Sequence, residues 1–349
     1  MTTAGIESTT GVPLVGTGRT TLAPWAIVLA GGEGRRLRAL TRHISGDDRP
    51  KQFAVLVGGR SLFRQTLDRI RLAIPVERTV VVTHARDAAY LAGEFAAEAK
   101  PDCLVQPEDR GTAAAILWAA HTIAAREPGA VAVVFPSDHH IEGEAAFMTH
   151  VLDVVTFVRG CPSAAVLVGA VPDGPDPKYG WIEPGAPVGR LRSGVVRRVR
   201  RFWEKPEPDQ ARACHEAGAL WNTFVLIARA TTLVALGREA LPELSARLER
   251  LGAFAGTPEE TWATRQAFAL ARHANFSREV LERAPGRLAV SELPAGVRWT
   301  DWGTPERVIA TLQRLGLRPG WLEALPRHLD LRSDARAVAA LRREASNGR

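Results

Sequence analysis

Short apolar runs alternate with longer Ala- and Leu-rich stretches along the first half of the chain. The apolar runs, at residues 25–30, 79–83, 103–106, 131–135 and 164–169, predict β-strands that are buried on both faces. The stretches between them, at residues 61–73, 87–99, 112–126 and 144–158, predict helices. This alternation predicts an α/β fold with a doubly wound sheet.

The second half of the chain has a different texture. Pro- and Gly-rich loops follow residue 171, and strands predicted at 180–183 and 195–204 continue the sheet as mixed elements along one edge. Helices are predicted at 211–218, 233–251 and 258–274, and two or three more from residue 304 to the end. Residues 1–24, rich in Thr, Gly and Ser, predict a mobile leader, followed by a main domain at 25–308 and a helical tail at 309–349.

Composition narrows the class of protein. The hydrophobic share of 46% and the charged share of 24% are typical of a globular chain. The net charge of +7 comes from arginines spread along the chain near acids, so we expect no nucleic-acid partner. The three scattered cysteines form no CxxC pair, and no apolar run approaches the ~20 residues that span a bilayer. We therefore expect a cytoplasmic protein with no membrane partner.

A glycine-rich segment, LAGGEGRRL at 29–37, directly follows the first predicted strand. Gly31, Gly32 and Gly34 would let the backbone approach a phosphate chain and offer it N–H groups. Leu37 stands where a dinucleotide-binding fingerprint has its third glycine, which argues against an NAD-binding oxidoreductase, and the GK[ST] ending of a P-loop is absent. Alone, the pattern fits a phosphate loop and a tight strand-to-helix turn equally well.

Lysine is rare in this arginine-rich sequence, which contains only Lys51, Lys100, Lys178 and Lys205. Lys51 and Lys205 each adjoin a proline, and a rigid local frame suits a compact ammonium that must meet a phosphate oxygen. The alternative is that these are ordinary solvated lysines.

Asp138 lies just beyond a predicted strand, where open α/β sheets place ligand sites. A carboxylate there could help to hold Mg²⁺, which commonly uses only one or two protein carboxylates; alone, Asp138 fits a helix N-cap as well. The adjacent His139 and His140 do not predict a zinc site, because neighbouring residues do not share a face and no third ligand has suitable spacing.

These segments resemble, in order, the motifs of the sugar-phosphate nucleotidyltransferases, and especially of the mannose-1-phosphate guanylyltransferase family. The motifs are LAGGEGRRL (29–37), RPKQF (49–53), QPEDRGTA (106–113), FPSDH (135–139), YGWIE (179–183), FWEKP (202–206), LWNTF (220–224) and WTDWG (299–303). The resemblance covers about residues 25–308 and marks them as the catalytic domain. It implies a Rossmann-like mixed sheet of the glycosyltransferase A-like type, with a small helical C-terminal extension.

The resemblance also implies an activity: transfer of GMP from GTP to α-D-mannose 1-phosphate with release of pyrophosphate, assisted by Mg²⁺. It implies catalytic roles for Arg36 at the departing phosphates, Lys51 near the α-phosphate, and Asp138, which would hold Mg²⁺ together with Asp301. The nucleotide-binding residues it implies are Leu29, Ala30, Gly31, Gly32, Gly34, Gln106, Arg110, Gly111 and Thr112. The sugar-phosphate-binding residues it implies are Gly180, Glu204, Lys205 and Asn222.

The sequence departs from the family pattern at three positions. Gln106 replaces the usual glutamate, Gly111 the usual asparagine, and Ser277 an aspartate usual in its segment. Two alternative functions therefore stay open: a uridylyl- or thymidylyltransferase acting on glucose 1-phosphate, and a nucleotide-sugar-binding regulator without chemistry. The expected partners are GTP and mannose 1-phosphate, and a homodimer is a further option.

Overall fold

A computed structural model describes residues 23–95 and 100–325 of the chain. Its strands are β1 (Trp25–Ala30), β2 (Thr79–His84), β3 (Asp102–Gln106), β4 (Val131–Pro136), β5 (His140–Glu142), β6 (Ala165–Ala170), β7 (Gly180–Arg190), β8 (Val195–Glu204), β9 (Leu220–Arg229), β10 (Leu288–Glu292) and β11 (Arg298–Thr300). Its α-helices are α1 (Arg38–Ser45), α2 (Leu62–Arg71), α3 (Ala88–Gly93), α4 (Gly111–Arg126), α5 (Glu144–Gly160), α6 (Pro208–Glu216), α7 (Ala230–Ala240), α8 (Pro242–Arg250), α9 (Glu260–Ala269), α10 (Pro305–Arg314) and α11 (Gly320–Glu323). Short 3₁₀ turns cover Arg35–Leu37, Lys51–Phe53, Val76–Arg78, Ala85–Asp87, Leu251–Phe254 and Pro285–Arg287, and a π-helical turn covers Ser277–Leu281.

Nine strands form one mixed sheet in the order β3-β2-β1-β4-β9-β6-β10-β8-β7. The first four are parallel, β9 enters antiparallel between β4 and β6, and β10 is parallel to β6. The antiparallel pair β7–β8 follows β10, and β7 also pairs with β9. A separate two-stranded sheet joins β5 to β11. The predicted α/β fold with a mixed, helix-covered sheet is confirmed.

Strand β1 is buried on both faces of the sheet. Its side chains alternate, so that Trp25 and Ile27 pack in one core cluster with α4, α7 and α8, while Ala26 and Val28 pack in a second cluster with α2 and α5. A strand buried on both sides needs apolar residues at every position, which is the pattern of its sequence. The carboxyl ends of β1 and β4 then lead directly into the glycine-rich loop and the Asp138 loop.

Several predicted elements differ from those observed. The predicted helix 233–251 is two helices, α7 and α8, because Pro242 cannot supply the N–H that a continuous helix requires. Strand β7 extends to Arg190, well past the predicted 180–183. Strands β9 and β10 were not predicted, although they lie within the central part of the sheet. Of the predicted helix 87–99, α3 covers Ala88–Gly93, and residues 96–99 lie outside the described part.

Helix α10 spans the boundary predicted at residue 308. Its Val308 and Leu312 are buried in one cluster with Leu37 and Leu40, so the helix packs against the segment that follows the glycine-rich loop. The predicted leader lies outside the described residues except for its last two positions, and so does the tail beyond residue 325. No helix in the described ranges is long and apolar enough to cross a membrane.

Candidate active site

A cleft of about 400 Å³ opens where the carboxyl ends of β1 and β4 meet the β7–β8 hairpin and β9. It brings together most of the site residues that the motifs predicted: Leu29, Gly32, Gly34, Arg36, Lys51, Thr112, Asp138, Gly180, Glu204, Lys205, Asn222 and Asp301. The other predicted residues, Ala30, Gly31, Gln106, Arg110 and Gly111, do not contribute to its lining. Open α/β sheets bind ligands at this edge, outside the carboxyl ends of their strands.

The glycine-rich loop is held in shape by close packing. Gly34 has φ of 56°, and a Cβ there would lie 2.8 Å from the Cβ of Lys51. A Cβ on Gly31 would lie 2.7 Å from Nε2 of His84. The backbone at Gly34 therefore requires glycine, whereas a larger residue at Gly31 would have to displace the buried His84 ring.

Lys51 carries a buried ammonium at the floor of the cleft. Its side chain is 5% exposed, and its Nζ lies 2.8 Å from Oδ2 of Asp138 and donates a 2.6 Å hydrogen bond to the main-chain oxygen of Asp301. A buried charge is costly unless it is paired and hydrogen-bonded, so these partners keep the ammonium in place. Lys51 thereby joins the loops that follow β4 and β11.

The Asp301 carboxylate is fixed by three donors to one oxygen. Its Oδ1 accepts hydrogen bonds from the Tyr179 hydroxyl at 2.9 Å, the Gly303 amide at 2.9 Å and Nη1 of Arg307 at 2.6 Å. Burial alone would raise the pKa of this carboxyl, but Arg307 and Lys51 outweigh it and lower the pKa to about 2. Asp301 is therefore an anion at neutral pH.

Asp138 is also held ionised. Burial opposes ionisation, but the charge of Lys51, together with His139, keeps the pKa of Asp138 below its usual value. The indole N–H of Trp299 donates to Nδ1 of His139 at 3.1 Å, so the proton of the neutral ring is on Nε2, which faces Oδ1 of Asp138 at 3.5 Å. Burial lowers the pKa of His139, which favours this neutral ring.

The two carboxylates suit a magnesium ion. Oδ1 of Asp138 lies 3.5 Å from Nε2 of His139, and Oδ2 of Asp301 lies 3.7 Å from Nη2 of Arg36, both beyond typical hydrogen-bond length. No group of three or more His, Cys, Asp or Glu ligands exists within residues 23–95 and 100–325. Two hard oxygen ligands are enough for Mg²⁺, which keeps waters and takes substrate phosphates as its other ligands.

The opposite end of the cleft is built from three strands. Gly180 on β7 pairs with Glu204 on β8, and a Cβ on Gly180 would lie 3.0 Å from Oε2 of Glu204 and 3.2 Å from the Cβ of Asn222. Burial raises the pKa of Glu204, against the opposing charge of Lys205, whose Nζ lies 3.6 Å from Oε1. Asn222 on β9 accepts a 3.0 Å hydrogen bond from the Phe224 amide. A carboxylate, an amide and an ammonium thus face one small volume, as recognition of a polar ring with a phosphate requires.

Backbone strain marks the same cleft. In the described part of the chain, the non-glycine residues with positive φ are Lys205 at 54°, Phe224 at 64° and Trp302 at 41°. All three line the cleft. Such conformations are disfavoured for bulky residues and persist where the surrounding structure fixes them, typically at functional sites.

The predicted nucleotide-base loop reaches the cleft through Thr112 and is hydrogen-bonded to a second segment, at residues 268–276. Arg110 donates to the Phe268 carbonyl oxygen at 2.8 Å, and Oγ1 of Thr112 accepts from the Phe276 amide at 2.9 Å. Gly111 has φ of 79°, and a Cβ there would lie less than 3 Å from the Ala274 carbonyl oxygen. The asparagine usual in the family would therefore not fit this backbone arrangement.

Two of the three departures from the family pattern are buried polar side chains. Gln106 is 2% exposed and Ser277 is fully buried, and Gln106 Oε1 and Ser277 Oγ have no hydrogen-bond partner among the described residues. Buried polar atoms without partners are uncommon in proteins. Neither side chain lines the cleft.

Sequence reasoning missed three residues that shape the site: Tyr179, Trp299 and Arg307. Tyr179 and Trp299 begin two of the motifs, and both line the cleft. Their position beside Gly180 and Asp301 was a usable signal. Arg307 had no such signal, because arginine is common in this chain and Arg307 lies outside the motifs, although its partner Asp301 is only six residues away; its other partner, Asp176, is 131 residues away.

Comparison with known proteins gives consistent matches. A family model described as nucleotidyl transferase matches residues 25–315. The xanthan biosynthesis protein XanB of Xanthomonas campestris pv. campestris (strain B100) is 30% identical over 285 residues, which are 80% of this chain and 57% of that protein. A mannose-1-phosphate guanylyltransferase of Sinorhizobium fredii is 31% identical over 222 residues, which are 62% of this chain and 41% of the relative. The chain spans about half the length of these relatives.

One solved structure extends the likeness to three dimensions. The mannose-1-phosphate geranyltransferase of Thermus thermophilus has a TM-score of 0.69 and 28% sequence identity to this chain. The match covers 84% of this chain and 79% of the other. The overall arrangement of the sheet and its flanking helices is therefore shared with that protein.

Proposed function

The chain belongs to the nucleotidyl transferase family, and we propose that it transfers GMP from GTP to α-D-mannose 1-phosphate. The products are GDP-mannose and pyrophosphate. A phosphate oxygen of the sugar phosphate attacks the α-phosphorus of GTP, and the bond between that phosphorus and the oxygen leading to the β-phosphate breaks. Because oxygen replaces oxygen at phosphorus, no covalent enzyme intermediate and no redox partner are needed.

The observation that carries the proposal is the charge arrangement along the cleft. Arg36, Lys51 and the glycine-rich loop lie at one end with the two ionised aspartates, and Lys205 lies at the other end beside Glu204. The first end, with two cations and backbone N–H groups, suits the highly charged triphosphate of a nucleotide. The second end, with Lys205, suits the smaller negative charge of a sugar 1-phosphate. Phosphoryl and nucleotidyl transfer are accelerated mainly by positioning and charge neutralisation, which this arrangement supports.

Within this proposal each side chain has a defined task. Lys51, fixed at the floor, stabilises negative charge that develops on the α-phosphate, while Arg36 faces the departing phosphates. Asp138 and Asp301 would hold Mg²⁺, and a bound Mg²⁺ would neutralise phosphate oxygens during transfer. At the sugar end, Glu204 and Asn222 bind hydroxyls and Lys205 binds the sugar phosphate, which orients the attacking oxygen.

The choice of mannose 1-phosphate and GTP rests on similarity. The Sinorhizobium fredii relative is named mannose-1-phosphate guanylyltransferase, and the order of motifs in this chain resembles that family. Gln106 and Gly111 depart from its base-side pattern. The base is thus the part of the proposal that the test must address most directly.

A substrate matrix tests the proposal. Pyrophosphate release is measured with purified full-length chain, Mg²⁺, four NTPs and the 1-phosphates of mannose, glucose, galactose and fucose. We expect the GTP and mannose 1-phosphate pair to dominate. A dominant UTP or dTTP signal with glucose 1-phosphate would overturn the substrate assignment. Nucleotide-dependent melting shifts without turnover for any pair would favour a binding protein instead.

A further inference from the structure

We propose that Arg307 is a positioning residue, which fixes the Asp301 carboxylate and couples it to the sugar-side segment 176–181. The inference deepens the proposed function and rests on it, because Asp301 is one of the two carboxylates assigned to Mg²⁺. Arg307 itself does not line the cleft, so its effect is transmitted through its partners.

The Arg307 guanidinium bridges two carboxylates. Nη1 donates to Oδ1 of Asp301 at 2.6 Å, and Nη2 forms an ion pair with Oδ2 of Asp176. The guanidinium carbon also lies 4.2 Å from the centre of the Tyr179 ring. With a side chain only 20% exposed, Arg307 is packed between these partners. A planar fork can serve two acceptors at once, whereas the ammonium of a lysine supplies a single point charge.

The Asp176 partner connects Arg307 to the sugar end of the cleft. The Asp176 carbonyl oxygen accepts a 3.0 Å hydrogen bond from the Trp181 indole, and its carboxylate accepts a 2.8 Å bond from the Lys178 amide. Between these residues lie Tyr179, which donates to Asp301, and Gly180, which lies against Glu204. One short segment thus contacts both the metal-side carboxylate and the sugar-side carboxylate.

Helix α10 makes Arg307 a rigid support. Val308 and Leu312 are buried beside Leu37 and Leu40, and the Thr311 hydroxyl accepts a 3.0 Å hydrogen bond from the Trp302 indole. Trp302 directly follows Asp301. The helix is therefore attached on both sides of the site, and the position of Arg307 does not depend on a mobile loop.

Loss of this support has different consequences at the two ends. In Arg307→Gln, the Asp301 carboxylate loses its shortest donor, and we expect kcat to fall about 10- to 100-fold with a raised Mg²⁺ requirement. In Asp176→Asn, the support of Asp301 remains but the sugar segment loosens, so we expect mainly a raised KM for the sugar phosphate. Arg307→Lys should recover kcat only in part, because the compact ammonium does not reproduce the planar two-nitrogen geometry with which Arg307 reaches the two carboxylates.

Arg314 provides a matched control on the same helix. It lies seven residues further along α10 and also forms an ion pair, with Nη1 donating to Oε2 of Glu142 at 2.8 Å. This pair lies outside the cleft lining. Arg314→Gln removes one positive charge, as Arg307→Gln does. We expect it to keep the kcat, KM and Mg²⁺ requirement of the wild-type chain.

The test combines kinetics with two binding measurements. For each variant, the Mg²⁺-dependent melting shift with GTP and the Kd for sugar 1-phosphate by calorimetry are measured besides kcat and KM. The proposal predicts a smaller Mg²⁺-dependent melting shift in Arg307→Gln and a larger Kd for the sugar 1-phosphate in Asp176→Asn. Wild-type values for all of these in folded Arg307→Gln would overturn it.

Two further outcomes are distinguishable. If Arg307→Gln does not fold, Asp176→Asn and Arg307→Lys decide, and wild-type kinetics and binding in both would overturn the coupling. If the wild-type chain releases no pyrophosphate with any substrate pair, the proposed function fails, and the melting shifts still test whether Arg307 supports Asp301.

Discussion

We expect Gly303→Ala to reduce activity much more than it reduces the stability of the fold. A Cβ on Gly303 would lie less than 3 Å from Oδ2 of Asp301 and 2.8 Å from Nη2 of Arg36. Its backbone φ is not in the left-handed region, so alanine meets no backbone strain and the only conflict is steric. The atoms that must move are side-chain atoms, the Asp301 carboxylate and the Arg36 guanidinium, and these are the functional groups of the site.

The magnitude follows from the geometry. Ordinary carbon–oxygen contact needs roughly 3.4 Å or more, so the Asp301 carboxylate must shift by about 1 Å. Misplacement on that scale typically costs about 100-fold in rate, or roughly 2.7 kcal/mol of transition-state stabilisation. The fold should lose less, since overpacking costs about 1–3 kcal/mol and replacing glycine returns roughly 0.4–1 kcal/mol.

The assay compares two alanine variants. Gly286 has open space around its Cβ position and no positive φ, so Gly286→Ala is the matched control. Pyrophosphate release and thermal unfolding are measured for both variants and the wild-type chain. We expect Gly303→Ala to lose about two orders of magnitude in kcat/KM while staying folded. A folded Gly303→Ala with kcat/KM within twofold of wild type would refute the reasoning.

Three further predictions follow from the charges and contacts of the cleft. The pKa of Asp301, about 2 instead of 3.8, means that its carboxylate stabilises the fold above about pH 4 and that this contribution is lost as the pH falls towards 2. Asp301→Asn should therefore lower the free energy of unfolding by roughly 2 kcal/mol at pH 7, and the difference should shrink below pH 4 in urea titrations. Burial raises the pKa of Glu204, so the ionised carboxylate lowers the stability of the fold above that pKa. Glu204→Gln should therefore raise the Tm at pH 7, and this increase should vanish as the pH falls towards 4. An unchanged or lower Tm at pH 7 would contradict this. Asn222→Ala should raise the KM for the sugar phosphate more than it lowers kcat, and steady-state kinetics with an unchanged KM would argue against the sugar assignment.

The parallel half of the sheet could be predicted because its strands carry a local signal. Each is a short apolar run followed by a helix, as at β1 and β4. Strand β9 was not predicted, although residues 224–228 form a short apolar run that leads directly into α7. Its place between β4 and β6 is set by pairing with segments far away in the sequence, such as Val133 with Ile227. Local pattern does not encode such pairing.

The candidate site divides in the same way. Its motif residues, such as Lys51 and Asp138, could be selected because their neighbours in sequence restrict the chemistry they suit. The contact between Arg307 and Asp176, 131 residues apart, could not, because it exists only once the loop before β7 lies against α10. The predicted burial of 103–106 holds only at Gln106, because β3 is the edge strand of the sheet and its other residues are exposed or half-buried.

The most direct test of the central claim follows both products of one reaction by ³¹P NMR. Purified chain is incubated with GTP, mannose 1-phosphate and Mg²⁺, and each substrate is also incubated alone. The account predicts equal amounts of a sugar-linked diphosphate and pyrophosphate, formed only when both substrates are present. GTP consumption that is independent of the sugar phosphate, or no consumption by a chain that binds both substrates, would contradict it.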